Sequence, residues 1–240
     1  MLLTLLLSAM VTIPAGSYQP LYGRPGEEAV RVERFRIDRD AVTQRQFLAF
    51  VQANPEWRRS RVKGVFAERS SYLASWRGDL DAGAPAQLDA PVTGVSWFAA
   101  RAYCAAQGKR LPTVAEWEYA GAAGTKKRDA ARDPAFIDHL VTLYATRTSR
   151  LAAPAADAEV NAYGVRGMHD RAWEWVEDFN SVLVSDDSRG VGERSHELYC
   201  ASAAIGATDP RNYAAFLRYA IRAGVSARSS LQTLGFRCAA

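Results

Sequence analysis

Apolar residues fall into helical spacing most plainly in a few stretches. Over residues 42–51, Phe47, Phe50 and Val51 share one face of a helix. Residues 97–106 and 114–123 give the two clearest helices. Thr113 stands where an N-cap would, with Glu116 three positions on, a pattern that predicts a capping box. Residues 209–223 read as a further helix, capped by Asp209 with Pro210 in its first position. Elsewhere the periodicity breaks. The run 54–90 holds Pro55, Gly64, Gly78, Gly83 and Pro85 among Trp57, Phe66, Tyr72 and Trp76, which predicts few regular elements held by aromatic packing. Residues 125–143 form a charged excursion with helical character. Residues 151–159, Ala-rich with Pro154, read as a surface loop. No repeat and no linker interrupts the chain. The reading is one loop-rich α+β domain over residues 10–240.

Composition changes this picture little. With 48% hydrophobic and 23% charged residues among 240, the chain can bury a full core without help from a metal or a disulfide. The net charge of +4 is spread rather than clustered, and no basic stripe alternates with aromatics, so a nucleic-acid partner is not expected. His139, His169 and His196 are too scattered for zinc spacing. The chain has no zinc-protease, serine-hydrolase or phosphate-loop motif. The acidic pairs Asp186-Asp187 and Glu177-Asp178 are explained by solvation at least as well as by acid–base chemistry.

Residues 1–9 (MLLTLLLSA) are apolar, but they are short and no Lys or Arg precedes them. Nine residues do not span a bilayer. They read either as a truncated secretory signal or as a segment upstream of a true start at Met10. The first reading places the protein in the periplasm or outside the cell, the second in the cytoplasm.

Three stretches carry the chemistry: AYCAAQGKRLPTVAEWEYA (102–120), NAYGVRGMHDRAWEWVEDF (161–179) and LGFRCAA (234–240). Two more, VTIPAGSY (11–18) and FRIDRDAVTQRQFLAFV (35–51), precede them in order. Together they resemble the formylglycine-generating enzyme family, the sulfatase-modifying-factor domain. The resemblance implies a variant of the C-type lectin fold, with small antiparallel sheets and little regular structure.

Of three cysteines, the resemblance implies that Cys104 and Cys238 form a disulfide and hence that the compartment is oxidising. Active family members bind copper(I) through two further cysteines, five apart, just before an R-Y-R segment. Thiolates suit that soft ion. Here the segment reads Arg218-Tyr219-Ala220, with Arg228 further on, and the cysteine positions fall at Phe216 and Arg211. Cys200 matches the first of the pair only if about eleven residues are inserted after it, and it remains a single thiolate. It is the candidate catalytic and copper-ligating residue, with His196 four positions earlier as a weak helper. Copper-dependent formylglycine formation is therefore not expected. The family's G-N-V-W-E-W calcium segment reads Asp170-Arg171-Ala172-Trp173-Glu174-Trp175, which implies a degenerate site: Glu174 is kept, but a guanidinium replaces the Asn ligand and can pair with Glu174 or another carboxylate in place of the ion.

Relatives with this altered C-terminal segment resemble accessory proteins of copper nitrite reductases. The expected function is an exported accessory or maturation factor for a metalloenzyme or its precursor. The alternatives are an oxidase working through Cys200 and a lectin-like binding module.

Overall fold

The structure, a computed structural model, describes residues 9–20, 29–180 and 212–240. Strand β1 (Met10–Ile13) pairs antiparallel with β4 (Phe35–Asp38), Met10 opposite Asp38 and Ile13 opposite Phe35. Strand β2 (Gly16–Tyr18) pairs with β3 (Val30–Val32) in the same sense. The third ladder is parallel: β5 (Trp173–Trp175) lies beside β6 (Leu234–Phe236). It sets the WEW and LGF motifs side by side, with Glu174 opposite Gly235. A Cβ at Gly235 would lie 2.4 Å from the Val92 carbonyl oxygen, so only glycine fits this close crossing.

Five helices surround the sheets among the described residues: α1 (Gln44–Ala53), α2 (Trp97–Ala106), α3 (Val114–Gly121), α4 (Pro134–Thr146) and α5 (Tyr213–Ala223). Helix α2 has the expected bounds, with Ser96 as its cap. Helix α1 begins two residues later than the periodicity suggests, because Thr43 and Gln46 form a capping box that takes residues 42 and 43 out of the helix. The box at Thr113 and Glu116 forms as expected, and α3 ends at Gly121. The 125–143 excursion is helical only from Pro134, where Asp133 accepts from the Ala135 amide.

The cap of α5 is a correction. It is Asn212, whose Oδ1 accepts from the Ala215 amide; Asp209 and Pro210 lie outside the described residues. The 151–159 stretch is also not simply surface. Ala155 and Ala158 are buried, and the Ala155 amide donates to the Asp89 carbonyl.

The core runs between α1, α2 and β6. Phe47 touches Phe50, Trp76, Tyr103 and Phe236 with ring centroids 5.4–6.3 Å apart. Residues 54–90 contribute Tyr72, Leu73 and Trp76 to it from two short 3-10 turns and irregular chain. Their polar ends are satisfied: Trp76 Nε1 donates to Gln44, and Tyr72 Oη donates to the Trp57 carbonyl. No helix among the described residues is long and apolar enough to cross a membrane.

Candidate functional site

The C-terminus is pinned in two ways. Cys104 of α2 is bonded to Cys238, with Cα atoms 5.6 Å apart and both residues fully buried. The bond spans 134 residues, and in the chain-entropy picture a loop of that size stabilises by up to about 5 kcal/mol. The Cys238 amide donates to Asp38 Oδ2, while Lys109 Nζ meets Asp38 Oδ1 at 2.6 Å. Burial pushes the Asp38 carboxyl up, against the pull of Lys109.

One residue earlier, Arg237 is fully enclosed and spends all five of its N–H groups. Two go to Glu174 as a bidentate pair at 2.8 Å each. Three go to the carbonyls of Asp38, Arg39 and Arg166. Trp117 Nε1 adds a third hydrogen bond to Glu174 at 2.7 Å. Glu174, the first of the carboxylates that Arg171 was expected to face, is thus taken by Arg237, and the pairing with another carboxylate is the one that forms. Arg171 turns instead to its neighbour Asp170, Nη1 to Oδ2 at 2.8 Å, both side chains buried. The reason is register: the parallel β5–β6 ladder carries residue 237 past Glu174, while Arg171 precedes the strand.

The Arg218-Tyr219 segment lies on the buried face of α5. Arg218 grips Glu118 of α3 with Nε at 3.0 and 3.1 Å and Nη2 at 2.7 Å. Arg222, one turn on, reaches the same carboxylate. Burial by itself raises the Glu118 pKa, but the two guanidinium groups overcome it and bring it down to about 2. Arg218 Nη1 also donates to Tyr144 Oη at 3.0 Å. That hydroxyl must then send its own hydrogen to His169 Nδ1, 2.8 Å away. Nε2 therefore carries the ring proton and donates to the Gly121 carbonyl at 2.8 Å. Burial and the charge of Arg218 hold this imidazole neutral, at a pKa of about 3. Arg147, from the turn after α4, lies 3.4 Å above the Trp173 ring and 4.3 Å above Tyr144.

Of the residues singled out in the sequence, the structure gathers Arg171, Glu174, Arg218 and Tyr219 around one buried polar layer. Arg228 stands apart: its side chain is exposed and its carbonyl accepts from the Glu68 amide. Cys200, His196 and Arg211 lie outside the described residues. The sequence reading missed Glu118, Tyr144, Arg147, His169, Arg222 and Arg237. For one of these a signal was present, since Arg222 stands four residues after Arg218 on one helix face.

Among the described residues the donors do not match the sets that the resemblance implies for copper and calcium. Both described cysteines are spent in a disulfide, and Phe216, where the resemblance implies a copper-ligand position, lies on α5. Arg171, where the resemblance implies a calcium-binding Asn, is already paired to Asp170. Among the described residues no group of three or more His, Cys, Asp or Glu side chains is placed to hold a metal ion.

The family model for the sulfatase-modifying factor enzyme 1-like domain matches residues 4–240. The chain belongs to this family. It is 30% identical to an inactive C-alpha-formylglycine-generating enzyme 2 of Bos taurus, over 96% of this chain and 87% of that protein. It is 29% identical to a formylglycine-generating enzyme of Streptomyces coelicolor, over 93% and 83%. Among solved structures it aligns with PvdO from Pseudomonas aeruginosa at TM-score 0.49 and 19% identity, covering 96% and 93% of the two chains.

Proposed function

We propose that this sulfatase-modifying-factor-like domain does not oxidise cysteine and serves as an exported accessory or maturation factor for a metalloenzyme of the copper nitrite reductase type. The carrying observation is the fate of α5. Where active relatives place a copper-binding cysteine, this helix has Phe216, and its Arg218 and Arg222 are locked onto Glu118 inside the protein. Cys200 is one thiolate, and near-linear Cu(I) needs two strong ligands. The buried Cys104–Cys238 bond supports an oxidising compartment such as the periplasm.

The test has two arms. Purified protein with Cu(I) and a sulfatase-type cysteine peptide should give no aldehyde by mass spectrometry. Aldehyde formation that disappears in Cys200→Ser would overturn the first half of the reading. In the second arm, a purified copper nitrite reductase apoprotein is reloaded with copper with and without this chain. Faster or more complete loading supports the accessory role, and identical loading with no complex by calorimetry overturns it.

A further inference from the structure

Among the described residues the buried charges around Tyr144 do not balance. Two buried cations of this layer have a carboxylate of their own: Arg237 has Glu174 and Arg171 has Asp170. Glu118, by contrast, is shared by Arg218 and Arg222. Arg147 forms no ion pair with any described residue. It is 4% exposed, its Nη2 donates to the His169 carbonyl, and its Nε is buried without a hydrogen-bond partner among the described residues. The three guanidinium groups are contiguous. Arg218 hydrogen-bonds the Tyr144 hydroxyl while Arg147 covers the Tyr144 ring, and Arg218 and Arg222 meet on Glu118. Among the described residues Glu118 faces Arg218 and Arg222, and the carboxylate whose charge reaches Arg147, Glu174, is already paired to Arg237.

Stacking offsets part of this cost, since Trp173 and Tyr144 both present ring faces to Arg147. It supplies no anion, however, and a guanidinium held out of water is stable only when its charge is met. Burial accordingly draws the Arg147 pKa down to about 10. Trp173 and Tyr144 are only half-buried, so the stack lies near the surface rather than at the centre of the core.

From this imbalance we infer that Arg147, backed by Arg218 and Arg222 and walled by Trp173 and Tyr144, is a binding site for an oxyanion, a carboxylate or phosphate group carried by a ligand. The fork of a guanidinium matches both groups with two parallel hydrogen bonds. Its position over the adjacent Trp173 and Tyr144 rings is already fixed, so little freedom is lost on binding. The site stands independently of the accessory role.

The test uses the full chain with its disulfide intact, at fixed ionic strength made up with chloride. N-acetylglycine, its uncharged amide and inorganic phosphate are titrated while tryptophan fluorescence and calorimetric heat are followed. Saturable binding of N-acetylglycine or phosphate, but not of the amide, is expected, and the tighter of the two names the class of ligand. Arg147→Met keeps a long side chain over Trp173 but removes the charge. It should weaken binding at least tenfold and raise the melting temperature in buffer lacking the anion, because an unmatched cation is gone. Arg222→Met, which leaves Arg218 on Glu118, should weaken binding more mildly. The inference is overturned if no oxyanion binds better than chloride, or if Arg147→Met lowers the melting temperature and leaves anion binding unchanged.

Discussion

Arg237→Met tests the account of the buried layer most sharply. The substitution removes five N–H donors from a site with no solvent access. Glu174 is then left ionised and buried with one remaining donor, Trp117 Nε1. Breaking a buried pair from one side costs about 3–5 kcal/mol. The three carbonyls that lose a donor add up to about 1 kcal/mol each, though the Arg39 carbonyl keeps the Arg166 amide. The total, roughly 4–7 kcal/mol, is a large part of the 5–15 kcal/mol that holds a typical domain folded. For a chain of this size it corresponds to a fall of about 10–20 °C in Tm.

The sharper arm is the double variant Glu174→Met, Arg237→Met. With both charges gone, the buried-ion penalty goes too, and much of the loss should return. The two single losses should therefore exceed the double loss by at least about 2 kcal/mol. Urea unfolding of the four proteins under oxidising conditions, followed by near-UV circular dichroism, measures that difference. Single losses that simply add to the double would refute the view that these two side chains depend on each other.

Two further outcomes follow from the same layer. Glu118 is depressed from 4.5 to about 2 and His169 from 6.5 to about 3. Both therefore contribute stability that is complete above the unfolded value and lost as pH falls, His169 first, at about 1.4 kcal/mol per pH unit below 6.5. His169→Gln should flatten the decline between pH 6.5 and 4.5 in urea titrations, and an unchanged slope there would show that another group titrates. Millimolar Ca²⁺ should leave the Tm of the wild-type protein unchanged, and Arg171→Asn should lower it in calcium-free buffer by leaving Asp170 buried without its cation. The substitution idea fails if Ca²⁺ raises the wild-type Tm and Arg171→Asn responds to the ion in the same way.

The sequence by itself determined whatever depends on near neighbours. The helix at 97–106 and the capping box at Thr113 and Glu116 follow from spacing and local hydrogen bonding. The ordered motifs fixed family membership. The irregularity of 54–90 followed from its glycines and prolines, which leave aromatic packing to hold the chain. The residues also set the expectation that the family's copper and calcium ligands are incomplete here, because a lost cysteine or an Arg in place of Asn needs no coordinates to be seen.

Tertiary structure decided which charge meets which. Glu174 and Arg237 are 63 positions apart, Glu118 and Arg218 are 100 apart, and Tyr144 meets His169 across 25. Partners at such distances depend on the register of the β5–β6 ladder and on the packing of α5 against α4, from which Arg218 and Arg222 reach Glu118 of α3, and neither leaves a periodic mark. Arg171 shows the same limit at short range. Its nearest plausible carboxylate by motif was Glu174, but parallel pairing delivered Arg237 to that position first. Arg147 had no motif at all. Only the fold, by laying it across Trp173 with no acid beside it among the described residues, turned an ordinary surface-type residue into an unmatched buried cation.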